Sequence, residues 1–284
     1  MNNLALTYED DANNSITHNE EQIEYVCKRI SEIRESIRNY VNRSCQVERR
    51  DRYYTLPVIY PYRYNQSGGR HDCSFTDAAL RPQKRIQREK MIARALCQIK
   101  DSTILQLENE NGKVVDVGCF QDYEIPLFHT WTEDRGRNID LVSTKGNSLY
   151  LFELKCNGST ETLFRCLIEA YTYYLFAKYS DRSVLHFKKN GCTENLWEAF
   201  GLTKNAKTII CPFVFKTSTA YREMQELKEG VRPKLKDFIS TIKRLEGEEV
   251  FDVSFAVIDA NKTTGIWPKD FKAEWLRAPN VSRC

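Results

Sequence analysis

Between Arg137 and Lys155 the chain carries the pattern that most restricts its fold. Two strand-like runs, Ile139 to Val142 and Leu149 to Leu154, flank Thr144-Lys145-Gly146-Asn147, a turn signal with glycine in third place. Such a pair predicts an antiparallel hairpin. With Lys145-Gly146 as a two-residue loop, Thr144 faces Asn147 and Asp140 faces Leu151, and Glu153 becomes the diagonal neighbour of Asp140, about 7–8 Å away. Side chains alternate along a strand, so Asp140, Leu151, Glu153 and Lys155 share one face. A one-residue slip would divide them between two faces.

Two carboxylates brought together at the end of apolar strands repel each other unless a cation lies between them. Hard oxygen ligands without His or Cys beside them favour Mg²⁺ or Mn²⁺ over zinc. An adjacent lysine can orient a water or stabilise charge developing on a phosphate. The tripeptide alone is a weak signal, because Glu226-Leu-Lys228 repeats it inside a charged helical run, and Asp270-Phe-Lys272 lacks an acid on a preceding strand. Only the Glu153 copy ends an apolar strand and has a matching Asp one hairpin arm earlier.

Asp140 followed by Glu153-Leu-Lys155 resembles the PD-(D/E)xK nuclease superfamily, the fold of many restriction enzymes, RecB-type exonucleases and Holliday-junction resolvases. Ile139 stands where that pattern commonly has proline. Three further features extend the resemblance over roughly residues 80 to 180: Glu89 on a helix ahead of the strands, Tyr123-Glu-Ile-Pro-Leu127 before the Asp strand, and Glu169-Ala-Tyr-Thr-Tyr173 at the spacing of the RecB-type Q-x-x-x-Y, with Glu replacing Gln. The resemblance implies an α/β fold with a restriction-endonuclease-like core, a central mixed β-sheet flanked by helices, and here an N-terminal helical extension. It also implies that Asp140, Glu153 and the Leu154 carbonyl bind Mg²⁺ (or Mn²⁺), that Lys155 positions the attacking water, and that Glu89 completes a second metal's shell. Glu169, Tyr173 and Arg165 are accessory candidates; with Glu161 they fall at four-residue steps, a polar stripe that faces either the acid cluster or solvent. Some RecB-type members hold an iron–sulfur cluster through closely spaced cysteines. The ten cysteines of this chain have no such spacing, nor that of a zinc site.

The remaining sequence supplies the setting. Residues 1–18 form an acidic arm, and 19–75 an amphipathic helix (Asn19 to about Val47) plus a long connector in which tyrosines interleave with Arg52 and Arg63. Residues 76–284 form the nuclease-like domain. The stripe Ile23, Val26, Cys27, Ile30, Ile33, Ile37 could cover the chain's own core or a second copy, which makes a homo-oligomer through this helix one expectation. Helices are also expected over Arg81–Lys100, Ser159–Tyr179, Ala220–Glu229 and Lys234–Leu245. Strands are expected over Val114–Val117, Tyr123–Phe128, Thr208–Phe215 and Val250–Ile258.

Net charge is only +3, yet Arg81, Lys84, Arg85, Arg88, Lys90 and Arg94 concentrate positive charge on one segment, suited to a phosphate backbone. No apolar run approaches the roughly 18 residues of a membrane span, and free thiols without a secretion signal place the chain in a reducing, cytoplasmic setting. The expected function is metal-dependent hydrolysis of phosphodiester bonds in nucleic acid, DNA favoured over RNA. The alternative is a nucleic-acid- or protein-binding module on the same fold with weak or no cleavage.

Overall fold

An apolar run without alternation, such as Leu149 to Phe152, must be covered on both faces, and in the computed structural model of this 284-residue chain each residue from Leu149 to Leu154 is buried. The structure describes residues 20–48, 89, 93, 103–109, 113–126, 138–155, 159–179, 187–189, 192–194, 196–203, 206–258 and 281–283. Its helices are α1 (Glu20–Glu48), α2 (Leu163–Tyr179), α3 (Leu196–Ala199), α4 (Thr219–Lys228) and α5 (Pro233–Glu246). Its strands are β1 (Thr103–Glu108), β2 (Val114–Asp116), β3 (Cys119–Pro126), β4 (Asn138–Lys145), β5 (Ser148–Leu154), β6 (Phe187–Lys189), β7 (Cys192–Glu194), β8 (Lys207–Phe215), β9 (Phe251–Val253), β10 (Ala256–Ile258) and β11 (Val281–Arg283).

Nine strands form one mixed sheet in the order β11-β1-β10-β8-β5-β4-β3, with β2 on β1 and β9 on β8, while β6 and β7 pair separately. Antiparallel neighbours β3, β4 and β5 give way to parallel pairing of β5 with β8, and of β8 with β9 and β10. Parallel strands need a crossover, and α2 lies on the connection between β5 and β8, packing on both. This is a mixed α/β fold with a central mixed sheet flanked by helices. Leu149, Leu151, Ile210 and Val214 belong to the core shared with α2, whereas Phe120, Tyr150, Phe152 and Phe213 form ring contacts with one another.

The β4–β5 hairpin departs from the expected register by two residues. Lys145 pairs with Ser148 and Leu141 with Phe152, so the loop is Gly146-Asn147 rather than Lys145-Gly146. Gly146 has φ 56°, and a left-handed first loop position suits glycine where it would strain lysine. Continued by one step, this register sets Asp140 directly opposite Glu153 instead of diagonal to it. Farther back, Gly118 (φ 73°) lies so close to β4 that a Cβ there would meet the Thr144 carbonyl oxygen at 1.9 Å. Of the other expected elements, the last strand divides into β9 and β10, and α2 starts at Leu163 rather than near Ser159.

Helix α1 uses its apolar stripe inside its own chain. Ile23, Ile30 and Ile37 are buried, with Val26, Cys27 and Ile33 packed alongside, and α1 lies on α2 and α5. Among the described side chains, this stripe is therefore taken up within the chain. The ends of this contact are polar. Glu20 accepts the Lys234 amide at 2.8 Å in the first turn of α5, where Arg232 supplies no side-chain cap. Glu246, its carboxylate enclosed, holds Arg34 of α1 at 2.8 Å, the Tyr171 hydroxyl at 2.6 Å and Lys178 of α2.

This packing makes α1 part of the folding unit. Ile30→Ala should lower the free energy of unfolding by about 2–5 kcal/mol. Glu246→Gln should cost about 2 kcal/mol, discounted for the partial exposure of Arg34 and Lys178. Urea denaturation reads both, and an Ile30→Ala loss under about 0.5 kcal/mol would mean that α1 folds apart from the sheet.

Candidate functional site

The ladder between β4 and β5 ends after Leu141 and Phe152, and at this fork the Asp140 side chain takes over from the backbone: its Oδ2 accepts the Leu154 amide at 2.8 Å. On the other side of β5, the Lys155 amide donates to the Phe213 carbonyl of β8 at 2.9 Å. Both backbone anchors lie at the end of β5. They hold Glu153 and Lys155 where strand gives way to the crossover.

Helix α2 brings the remaining groups. Its start is fixed by Glu223 of α4, whose Oε2 accepts the Leu163 amide at 2.7 Å, and by Thr162, whose hydroxyl accepts the Arg165 amide at 3.2 Å. The polar stripe then faces the end of β5. Lys155 Nζ contacts Glu153 Oε1, Glu161 Oε2 at 2.8 Å and Glu169 Oε2 at 2.8 Å. Arg165 Nε lies 3.0 Å from Glu169 Oε1 and 3.8 Å from Glu161 Oε2. The Tyr173 hydroxyl donates to Glu153 Oε2 at 2.5 Å. Glu153, Lys155, Glu169 and Tyr173 are buried, and Asp140 is half-buried.

Charge explains how these groups titrate. Loss of water pushes the Asp140 carboxyl up to about 8; Lys155 opposes that rise, the charges of Glu89 and Glu169 add to it, and the Leu154 amide opposes it. Burial likewise raises Glu153 well above the usual range, reinforced by Asp140 and opposed by Lys155. Glu169 moves the other way, to about 2: burial acts against this, but Lys155, a hydrogen bond with Glu153 and Arg165 outweigh it. Burial works against the Lys155 ammonium, yet Glu153, Glu169 and Glu161 together hold it charged.

Four carboxylates, Asp140, Glu153, Glu161 and Glu169, thus share the neighbourhood with two cations, Lys155 and Arg165, which leaves two negative charges over when all are ionised. Two of these acids, Asp140 and Glu153, are of the oxygen-ligand kind that hard divalent cations take. Among the described residues no group of three or more His, Cys, Asp or Glu is arranged to hold a metal. Mg²⁺ does not require one, since it commonly takes one or two carboxylates and completes its shell with water and phosphate.

Asp140, Glu153, Leu154 and Lys155 therefore come together, with Leu154 entering through its amide. Glu89 is helical and half-buried, near enough for its charge to act on Asp140. Glu169, Tyr173 and Arg165 join them. The basic candidates Arg81, Lys84, Arg85, Arg88 and Arg94 lie outside the described residues, as does the Asp270 tripeptide. Glu226 is bound to Arg232 at 2.7 Å on α4, a structural ion pair. Glu161, a ligand of Lys155 that the family pattern does not point to, is signalled by the four-residue stripe it begins.

No family model, curated protein or solved structure matches the chain. Among the described residues, Cys27, Cys166 and Cys211 are thiols rather than disulfides, and no helix is long and apolar enough to cross a membrane.

The raised Asp140 value fixes a pH dependence. The folded protein keeps a proton that the unfolded chain releases near 3.8, so this group's effect on stability worsens as pH rises from about 4 to about 8 and then levels off. Asp140→Asn, which can still accept the Leu154 amide, should gain stability relative to wild type across that window, by at least about 1.4 kcal/mol at pH 8. Urea denaturation at pH 4, 6 and 8 measures the gap. A gap that stays constant or narrows with pH would contradict the buried carboxyl.

Proposed function

We propose that the chain acts on nucleic acid through the Asp140–Glu153–Lys155 cluster, with a restriction-endonuclease-like core as its scaffold. The observation that carries this reading is the convergence at the fork: two acids from adjacent strands lie together with a buried lysine beside them, and acids outnumber bases in the cluster. In the hydrolytic form of the proposal, Asp140 and Glu153 hold Mg²⁺ or Mn²⁺, which when bound supplies positive charge to the scissile phosphate and its attacking water. Lys155 orients that water and offsets charge in the transition state. Glu89 adds negative charge on the Asp140 side, suited to a second ion. Tyr173 fixes the Glu153 carboxyl. DNA is the favoured substrate, with the Arg81–Arg94 segment as the backbone-binding element.

A binding module with weak or no cleavage is the second reading, and a specific observation favours it. The cation that the glutamates surround is the Lys155 ammonium, and no three-ligand metal group exists among the described residues. On metal-ligand geometry this reading has the better support. One experiment separates the two: purified protein with Mg²⁺ or Mn²⁺ and a panel of labelled linear, circular and branched DNA and RNA, read for both binding and cutting. Cutting that chelator stops and that Asp140→Ala or Glu153→Ala abolishes supports hydrolysis. Tight binding without cutting supports the module. Glu226→Ala is the control and should cut normally at some cost in stability, since it releases Arg232.

The lysine and the basic segment should act on different steps. Lys155→Ala should lower saturating turnover by roughly a hundredfold or more with affinity near wild type. Arg85→Ala with Arg88→Ala should instead weaken binding and reduce its salt slope by roughly one unit for each phosphate no longer neutralised. Normal turnover by Lys155→Ala would leave that residue as a structural counter-ion.

A further inference from the structure

The amides of a helix's first turn have no partner within the helix and must find one elsewhere. At the start of α2, the Thr162 hydroxyl takes the Arg165 amide, while the Leu163 amide is met by Glu223 Oε2 at 2.7 Å, from α4 and 60 residues further along the chain. Glu223 is buried, and burial pushes its carboxyl up against the opposing pull of the Leu163 amide and Arg232. An acid buried at that cost needs a use. Its other oxygen, Oε1, lies 3.4 Å from Arg232, the residue before α5, which also binds Glu226 of α4 at 2.7 Å and lies 3.8 Å from Glu20 of α1. Glu223 thus ties the start of α2 to the corner where α1, α4 and α5 meet. Helix α4 grips the crossover at a second point before Leu163, where the Thr219 amide donates to the Ser159 carbonyl at 3.0 Å.

The Lys155 ammonium depends on where α2 lies. It donates to Glu153 on its own strand and to Glu169 on α2 at 2.8 Å. The first bond is set within β5. The second requires α2 to stand at the right place along the sheet, and Glu169 lies about 9 Å up the same helix from Leu163. Arg165, which holds Glu169 at 3.0 Å, belongs to that helix too and would move with it. We propose that Glu223 is a positioning residue for Lys155: by holding the Leu163 amide it fixes α2, and with it the Glu169 carboxylate that receives the lysine. This goes beyond the proposed function and involves no metal, since it holds whether the cluster cuts nucleic acid or only binds it. The requirement at residue 223 is an acceptor of the right reach. Plain charge makes the opposite claim, that a negative group near the start of α2 and beside Arg232 is what counts.

Two variants of the full chain rank these claims, with water exchange of the Lys155 ammonium protons as the measure, read by ¹⁵N NMR and assigned by Lys155→Arg. Glu223→Gln loses the charge but keeps an oxygen within reach of the Leu163 amide, and should leave exchange within about twofold of wild type. Glu223→Asp keeps the charge but is one methylene too short, and should speed exchange about tenfold, the local stability lost with one hydrogen bond. Exchange of the Leu163 amide should follow the same order. If the Asp carboxylate still reaches that amide, as slow Leu163 exchange would show, Glu223→Ala takes its place with the same expectation. Glu226→Ala releases Arg232 on the same helix without removing the Leu163 contact, and should leave Lys155 exchange unchanged despite its cost in stability. The reverse order, equal effects of Gln and Asp, or a Lys155 signal that moves as far in Glu226→Ala would overturn the proposal. The expected order in a protein that neither cuts nor binds nucleic acid sinks the proposed function alone; the reverse order in one that does sinks only the positioning role.

Discussion

The ammonium of Lys155 joins the end of β5 to the start of α2, and that junction determines where the rest of the sheet and crossover can lie. Three glutamates approach one point inside the protein, an arrangement whose mutual repulsion would push strand and helix apart without a cation at its centre. Burial acts against the ammonium, and the three glutamates together hold it charged. Arg165 lies a third exposed at the edge of this group and takes up part of the excess negative charge from the solvent side.

A similar device fastens α1. Glu246 at the end of α5 gathers Arg34 from α1 and Lys178 and Tyr171 from α2, so three helices meet on one enclosed carboxylate. The difference lies in the balance of charge. Glu246 has two cationic partners, and its pKa is lowered despite burial, as befits a settled ion network. The cluster at the end of β5 has more acid than base, and its two facing carboxyls are raised. A fold that can balance its buried charges leaves them unbalanced at the fork, which is why the fork, and not the Glu246 hub, is the candidate for chemistry.

How much of this was legible before the structure depends on parity. The expected hairpin register was two residues off, and an even error leaves every side chain on its face, so Asp140 and Glu153 were correctly brought together although their spacing was not. A preference for glycine at the first loop position would have corrected the turn. The facing of the α2 stripe could not be read, because its apolar and polar faces are both covered: Glu169 and Tyr173 are buried, as the helix's apolar residues are. Amphipathic pattern distinguishes core from water but not one interior from another. Strand β1 was missed, since Thr103 to Glu108 alternates weakly and two of its three partners, β10 and β11, lie far along the chain.

The two facing acids are not equivalent. Glu153 is gripped at both oxygens, by Lys155 on Oε1 and the Tyr173 hydroxyl on Oε2, and it is buried. Asp140 is half-buried and is tied through Oδ2 to the Leu154 amide, a donor that also favours its ionised form. A cation arriving from water would meet Asp140 first, and that encounter would favour loss of the Asp140 proton. Glu153, already held at both oxygens, would be the harder of the two to recruit. On the proposed reading, Asp140 would be the first ligand and Glu153 the one held back by its existing partners.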